Sequence, residues 1–341
     1  VHSATGDYDA VLLASFGGPE GADDVTPFLR RVTAGRDVPD ERLAEVAEHY
    51  LALGGVSPIN EQCRRLRSAL EGELAGRAGE TRGRALRVYW GNRNWHPLLA
   101  DTVAEMADDG VRRAVAVATS AYSSYSGCRQ YLDDIGAARA AVGQQAPEID
   151  KVRAFFDHPG FVEPWAESLR AAKSTLADPE PAVVFTAHSI PVAMAGACAY
   201  EAQLRETARL VAERSSTSSY SLAWQSRSGP PNVPWLEPDI SDEIRRLAAA
   251  GVSAVAVAPV GFVSDHMEVV WDLDHEARQV AESLGVELAR AVAPGTVPDP
   301  RFVSMLADLV IERFDPQSPR AALGTLGVRP DCCPTDCCPA R

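Results

Sequence analysis

Two positions in this chain pair a titratable side chain with a backbone setting in which it can act on a ligand. Thr186-Ala187-His188-Ser189-Ile190-Pro191 follows the apolar run Val183–Phe185. A residue at the end of a parallel strand faces the crevice where open α/β sheets bind ligands. With an ordinary pKa of about 6.5, a neutral imidazole there accepts a proton or binds a metal near pH 7. A histidine in this place also serves as a helix cap or a hydrogen-bonded core residue, so this segment alone leaves both roles open.

The second position is Val260-Gly261-Phe262-Val263-Ser264-Asp265-His266-Met267-Glu268, which opens a helix predicted to run to about Leu284. Glu268, Asp272 and Glu276 stand at i, i+4 and i+8, so their carboxylates form one row. Val269, Leu273, Ala277, Val280 and Leu284 form the apolar stripe beside it. Like charges at i, i+4 oppose helix formation by a few tenths of a kcal/mol per pair. Burial deepens that penalty unless a cation or shared protons compensate. Such a row suits metal passage or proton relay, and a solvated acidic face is the alternative.

Two weaker groups lie in the first half. Phe16-Gly17-Gly18-Pro19 follows the first strand, and Gly54-Gly55-Val56-Ser57-Pro58 precedes a long helix with Ser57 as its expected N-cap. These glycines fit neither a dinucleotide fingerprint nor a P-loop. Thr119 to Cys128 is rich in hydroxyls and aromatics, a composition suited either to a large flat ligand or to a surface loop. At the other end, Cys332-Cys333-Pro334-Thr335-Asp336-Cys337-Cys338 crowds four thiols into an irregular tail. Thiolates so close bind soft metals, as in iron–sulfur or structural zinc sites. Four sulfurs on so short a segment do not readily surround one centre, so a ligand from the body, such as Cys128, is attractive.

The elements that must position these residues alternate in type. Strands are expected at Tyr8–Ser15, Leu86–Trp90, Ala114–Thr119, Val183–Thr186, Tyr220–Trp224 and Val252–Pro259. They lack polar alternation, as strands covered on both faces do. Helices are expected near 41–53, 58–77, 97–109, 128–141, 161–176, 199–214, 239–250, 266–284 and 300–313. Strand then helix, repeated, means an α/β fold with parallel sheets. The series runs twice, which predicts two Rossmann-like lobes, 7–150 and 151–315, around a cleft, with 316–341 as a tail. The formal net charge is −14, from 33 Lys plus Arg against 47 Asp plus Glu. That balance argues against a nucleic-acid partner. The first residues lack signal-peptide order, and no apolar run approaches the roughly 20 residues that span a bilayer. The expectation is a cytoplasmic protein with no transmembrane segment.

Taken in order along the chain, the motifs resemble those of ferrochelatases. The resemblance rests on Ser15-Phe16-Gly17-Gly18-Pro19, Gly54 to Asn60, Ala187-His188-Ser189-Ile190-Pro191, Trp224-Gln225-Ser226-Arg227, Pro234-Trp235-Leu236-Glu237-Pro238-Asp239 and Pro259 to Glu268. It implies two nucleotide-free lobes around a porphyrin cleft, with Fe(2+) and the porphyrin as substrates. It places the essential histidine on His188 and the opposing glutamate on Glu268, both metal contacts, with Asp272 and Glu276 behind. It puts Ser57, Tyr125, Tyr50 and Phe16 around the porphyrin. The branch it is most similar to uses coproporphyrin III in haem synthesis, where a transient contact with neighbouring haem-pathway enzymes would hand over the product. Several members of that branch carry a tyrosine that ligates product iron where this chain has Phe16, which cannot. Some relatives bind a [2Fe–2S] cluster through one internal and three C-terminal cysteines. Cys128 fits the internal place, and Cys332, Cys333, Cys337 and Cys338 compete for the other three. Other readings are a protoporphyrin IX enzyme, a different tetrapyrrole chelatase, a non-catalytic haem carrier and a zinc hydrolase. The last lacks a third ligand at zinc-site spacing.

Overall fold

The computed structural model describes residues 7–35, 38–229, 232–315, 317–331, 333–334 and 337–339. Cys332 lies outside the described residues. Strands β1 (Ala10–Ser15), β2 (Arg87–Asn92), β3 (Arg113–Ala118) and β4 (Glu148–Lys151) form one parallel sheet in the order β2-β1-β3-β4. Strands β5 (Ala182–His188), β6 (Tyr220–Gln225), β7 (Ala254–Ala258) and β8 (Glu287–Arg290) repeat that order in a second sheet, β6-β5-β7-β8. The chain therefore doubles as the apolar runs predict. In each sheet the order reverses between the first and third strands, the place where open α/β sheets bind ligands.

The helices follow as α1 (Ala22–Val32), α2 (Asp40–Ala52), α3 (Ile59–Gly76), α4 (Leu99–Asp108), α5 (Gln130–Val142), α6 (Pro159–Ser174), α7 (Val192–Gly196), α8 (Tyr200–Arg214) and α9 (Ile240–Ala249). The series closes with α10 (Met267–Val269), α11 (Arg278–Ser283) and α12 (Pro300–Ile311). Between α10 and α11 the backbone of Val270–Ala277 widens into a π-helix, and a second π-turn, Tyr125–Arg129, precedes α5. Ser57 does not cap α3: Pro58 is the N-cap residue and no side chain caps the helix.

The largest apolar core runs through both lobes, from Tyr8, Leu70 and Trp90 to Phe185, Trp165 and Phe302. Helix α12 packs on α3 and α6, so the last helix binds the two sheets into one body. Each large apolar side chain buried there contributes about 1.5–3 kcal/mol. Arg153 and Glu312 form a bidentate pair at 2.8 and 2.9 Å inside this core, with side chains 0% and 2% exposed. Arg153 also donates to the Ala321 carbonyl at 3.0 Å, which pins the start of the tail. Beyond it, Leu323 N–H donates to Asp157 O at 2.9 Å, and Thr325 donates to Glu206 from both N–H and hydroxyl. The tail thus lies across the body as a strap.

Candidate active site

His188 is the last residue of β5, and its position is fixed from three sides. Tyr200 OH donates to the His188 carbonyl at 3.0 Å, and Ser189 N–H donates to Gln225 O at 2.7 Å. The ring Nδ1 lies 2.5 Å from the Ser189 carbonyl. A carbonyl oxygen only accepts, so Nδ1 carries a hydrogen, and in the neutral form of the ring the lone pair lies on Nε2. That Nε2 stands 3.6 Å from Glu268 Oε2, with the two side chains 32% and 43% exposed. A proton or a cation shared between the two atoms would hold them together at that distance.

Glu268 reaches this place because the loop after β7 lies flat on the end of β5. Gly261 N–H donates to Thr186 O at 3.0 Å, and a Cβ on Gly261 would sit 2.4 Å from the Ala187 Cβ. Only glycine allows that approach. Downstream, Arg290 of β8 grips Asp265 and Asp274, each at 2.8 Å, and so clamps both ends of the segment that bears Glu268 and Asp272. Nothing in the sequence pattern singles out Arg290, because a charged edge strand reads as surface.

Glu268 lies on α10, and Asp272 and Glu276 lie on the π-helix that continues it, so the row spans a change of hydrogen-bond register that the predicted α-helix lacks. Burial, with the charges of Glu268 and Glu276 behind it, pushes the Asp272 carboxyl up to about 7 against the hydrogen bonds of Ser226 and Gln225. Ser226 Oγ donates to Asp272 Oδ2, and Gln225 Nε2 donates to the same atom at 3.3 Å. Ser226 holds a left-handed backbone (φ 61°) to do so. Strained residues of this kind gather at functional sites. Burial also lowers the His266 imidazole, against the pull of Glu268. Of the apolar stripe, Val269, Leu273 and Ala277 are buried, whereas Leu284 is exposed.

The first lobe supplies the opposite wall. Tyr50 is buried on α2, and its phenol is raised by burial and then by Glu268 and Asp272, so it stands within electrostatic reach of the row. Phe28 packs against Phe16 at 6.3 Å and Tyr50 at 5.8 Å, in a cluster that also takes in Met267 of the second lobe. Phe16 itself is 36% exposed at the end of β1. Ser57 is buried under Gly18, where a Cβ would lie 2.5 Å from its own, so it builds the glycine loop. Tyr125 opens the π-turn after β3 and is half-buried. Among the described residues no hydrogen bond or ring contact joins Ser57 or Tyr125 to the His188–Glu268 pair.

The thiols gather elsewhere. Cys337 and Cys338 place their sulfurs 3.5 Å apart, and Cys338 is buried. Cys337 and Cys128 both raise the Cys333 and Cys338 thiols, after burial, so the strap has brought the tail to the Cys128 turn. Among the described residues no three His, Cys, Asp or Glu side chains are arranged to hold one metal ion. No helix among them is long and apolar enough to cross a membrane.

Comparison with known proteins agrees with this architecture. The sirohydrochlorin chelatase SirB from Bacillus subtilis subspecies spizizenii, solved in complex with cobalt, aligns with a TM-score of 0.52 at 11% identity, covering 90% of this chain and 96% of that one. At that identity the likeness speaks for the fold alone. A ferrochelatase from Rhodopirellula baltica is 51% identical over 97% of this chain and 93% of its own length. A coproporphyrin III ferrochelatase from Mycobacteroides abscessus is 53% identical over 95% of this chain and 93% of its own. The ferrochelatase family model matches residues 8–314, with both sheets and both switch points inside it, and the chain belongs to the ferrochelatase family.

Proposed function

We propose that this chain inserts Fe(2+) into coproporphyrin III on the route to haem, with His188 and Glu268 facing each other at the metal-insertion site. The observation that carries the reading is the 3.6 Å approach of His188 Nε2 to Glu268 Oε2, with Nδ1 already committed to a carbonyl. Metallation removes two pyrrole protons and replaces the water around iron with ring nitrogens. A lone pair held at Nε2 accepts a pyrrole proton without reorganisation. Glu268 beside it attracts the cation, and Asp272, poised near pH 7, takes up the second pyrrole proton. Glu276 is the exposed outer end of that route. Tyr50 and Phe16 on the opposite wall, with Tyr125 and Ser57 in the loops, shape the space for the flat ring. The name borne by the M. abscessus relative, at 53% identity, supports coproporphyrin III as the porphyrin.

Anaerobic Fe(2+) insertion into coproporphyrin III and protoporphyrin IX, followed by absorbance, tests this. Faster turnover of coproporphyrin is expected; preference for protoporphyrin overturns the substrate, and no insertion into either overturns the activity. His188→Ala should abolish insertion while porphyrin binding, read by fluorescence quenching, persists. Retained turnover in that variant would sink its role.

A [2Fe–2S] group held by Cys128 and three of Cys332, Cys333, Cys337 and Cys338 belongs to the same proposal. The donor chemistry fits, since soft thiols suit such a group and Cys128 lies within electrostatic reach of Cys333 and Cys338. Such a group would add an anchor between the tail and the Cys128 turn, and insertion itself needs no electron transfer. Cys337→Ser should lose the visible absorbance of the purified protein and lower its yield; no change in either refutes that ligand. The described cysteines are all free, which suits a reducing cytoplasm.

A further inference from the structure

The π-helix carries a second constellation that the acidic row does not use. The Trp271 indole lies sandwiched between two imidazoles: His49 stacks on one face at 4.1 Å and 9°, and His275 on the other at 4.2 Å and 14°. Trp271 and His275 belong to the second lobe, whereas His49 comes from the last turn of α2 in the first. The edge of the same indole is also engaged, because Nε1–H donates to Glu276 Oε1 at 2.9 Å. A five-residue spacing matches the i→i+5 turn, so the widened helix sets Trp271 beside His275 and Glu276 at once. A ring held on both faces and at its donor edge has no freedom left, and it passes that constraint to the carboxylate it binds. His49 is followed by Tyr50, whose phenol stands near Glu268 and Asp272. One helix therefore meets the acidic row at its inner end through Tyr50 and at its outer end through the stack.

We propose that His49 and Trp271 are positioning residues for iron uptake: the His49–Trp271–His275 stack seats α2 on the π-helix and holds Glu276, through the indole N–H, at the outer end of the row. This rests on the reading of Glu268, Asp272 and Glu276 as the route of the iron. The stack fixes where an arriving divalent cation first meets carboxylate. It leaves the proton chemistry at His188 untouched. Loosening it should weaken capture of iron and spare the later steps.

Steady-state insertion with Fe(2+) varied at saturating porphyrin, then the reverse, separates these effects in Glu276→Gln, Trp271→Phe, His49→Ala and His49→Phe. Trp271→Phe keeps a ring in the stack and removes the donor; His49→Phe restores a ring where His49→Ala removes it. The KM for iron should rise at least threefold in Glu276→Gln, Trp271→Phe and His49→Ala. In Trp271→Phe and His49→Ala the kcat and the porphyrin KM should stay within twofold, and His49→Phe should recover most of the loss. Acrylamide quenching of the Trp271 emission, taken as the difference from Trp271→Phe in each background, should increase in His49→Ala and return in His49→Phe. A raised iron KM in Glu276→Gln alone, or an indole no more accessible in His49→Ala, overturns the clasp and leaves the route standing. An unchanged iron KM in Glu276→Gln overturns the route and the proposal with it.

Discussion

Asp272→Asn should make the protein more stable and a poorer enzyme, with a pH dependence that identifies the cause. Burial and the flanking carboxylates lift Asp272 from its ordinary value near 3.8 to about 7. In the unfolded chain the group ionises near its ordinary value, so between the two the folded state holds a proton that the unfolded state lacks. Stability is then full below about pH 4, falls as pH rises toward 7, and levels off above it. At about 1.4 kcal/mol per pH unit the whole interval amounts to about 4 kcal/mol. Asp272 is half-buried and shares its charge with two neighbours, so roughly half of that is the working figure. Asparagine cannot ionise, and its amide oxygen still accepts from Ser226 and Gln225. The variant should therefore match wild type near pH 4 and exceed it by about 2 kcal/mol near pH 8. Urea unfolding of both proteins across that range reads the difference directly. Parallel curves, or equal stability at pH 8, would refute the electrostatic account of the row.

Gly261→Ala should displace the loop that carries Glu268, because its Cβ would meet Ala187 at 2.4 Å. Iron insertion should fall by at least tenfold with porphyrin binding nearly intact, as checked by turnover and fluorescence quenching. Glu312→Ala leaves Arg153 charged and alone in the core, and urea unfolding should register a loss of about 3–5 kcal/mol.

Much of the frame was legible because buried parallel strands are nearly continuous apolar runs. The runs at Tyr8–Ser15, Val183–Thr186 and Val252–Pro259 fall within about two residues of β1, β5 and β7. The edge strands β4 and β8 escaped because Glu148-Ile149-Asp150-Lys151 and Glu287-Leu288-Ala289-Arg290 carry charges at both ends. Helix α1 escaped because Pro27 sits inside it and Asp23 and Asp24 open it, a pattern that reads as a turn. In the site, the paired His188 and Glu268 were visible as strand end and helix start. The π-helix was not, since its hydrogen-bond register leaves no mark on an i, i+4 pattern that an α-helix explains as well. The contacts of Ser226, Arg290 and His49 arise between elements far apart in the chain, and periodicity carries no record of them.

The two sheets share one topology yet offer opposite chemistry at their switch points. The loops of β1 and β3 present glycines, Phe16 and the hydroxyls before Cys128, with no carboxylate among Phe16-Gly17-Gly18-Pro19 or Thr119 to Cys128. The loops of β5 and β7 present His188, Asp265, His266 and Glu268, and lead into Asp272 and Glu276. A duplicated frame thus faces an apolar, close-approaching wall with a titratable one. That asymmetry suits two reactants of unlike character: a broad flat ring that needs surface, and a hydrated dication that needs oxygen ligands in succession as it sheds water. Were both walls acidic, the ring's own carboxylates would be repelled; were both apolar, nothing would draw the ion inward. The buried Tyr50, reaching from the first lobe to within the field of Glu268 and Asp272, marks where the two walls meet, and there the proposed exchange of protons for metal would have both reactants at hand.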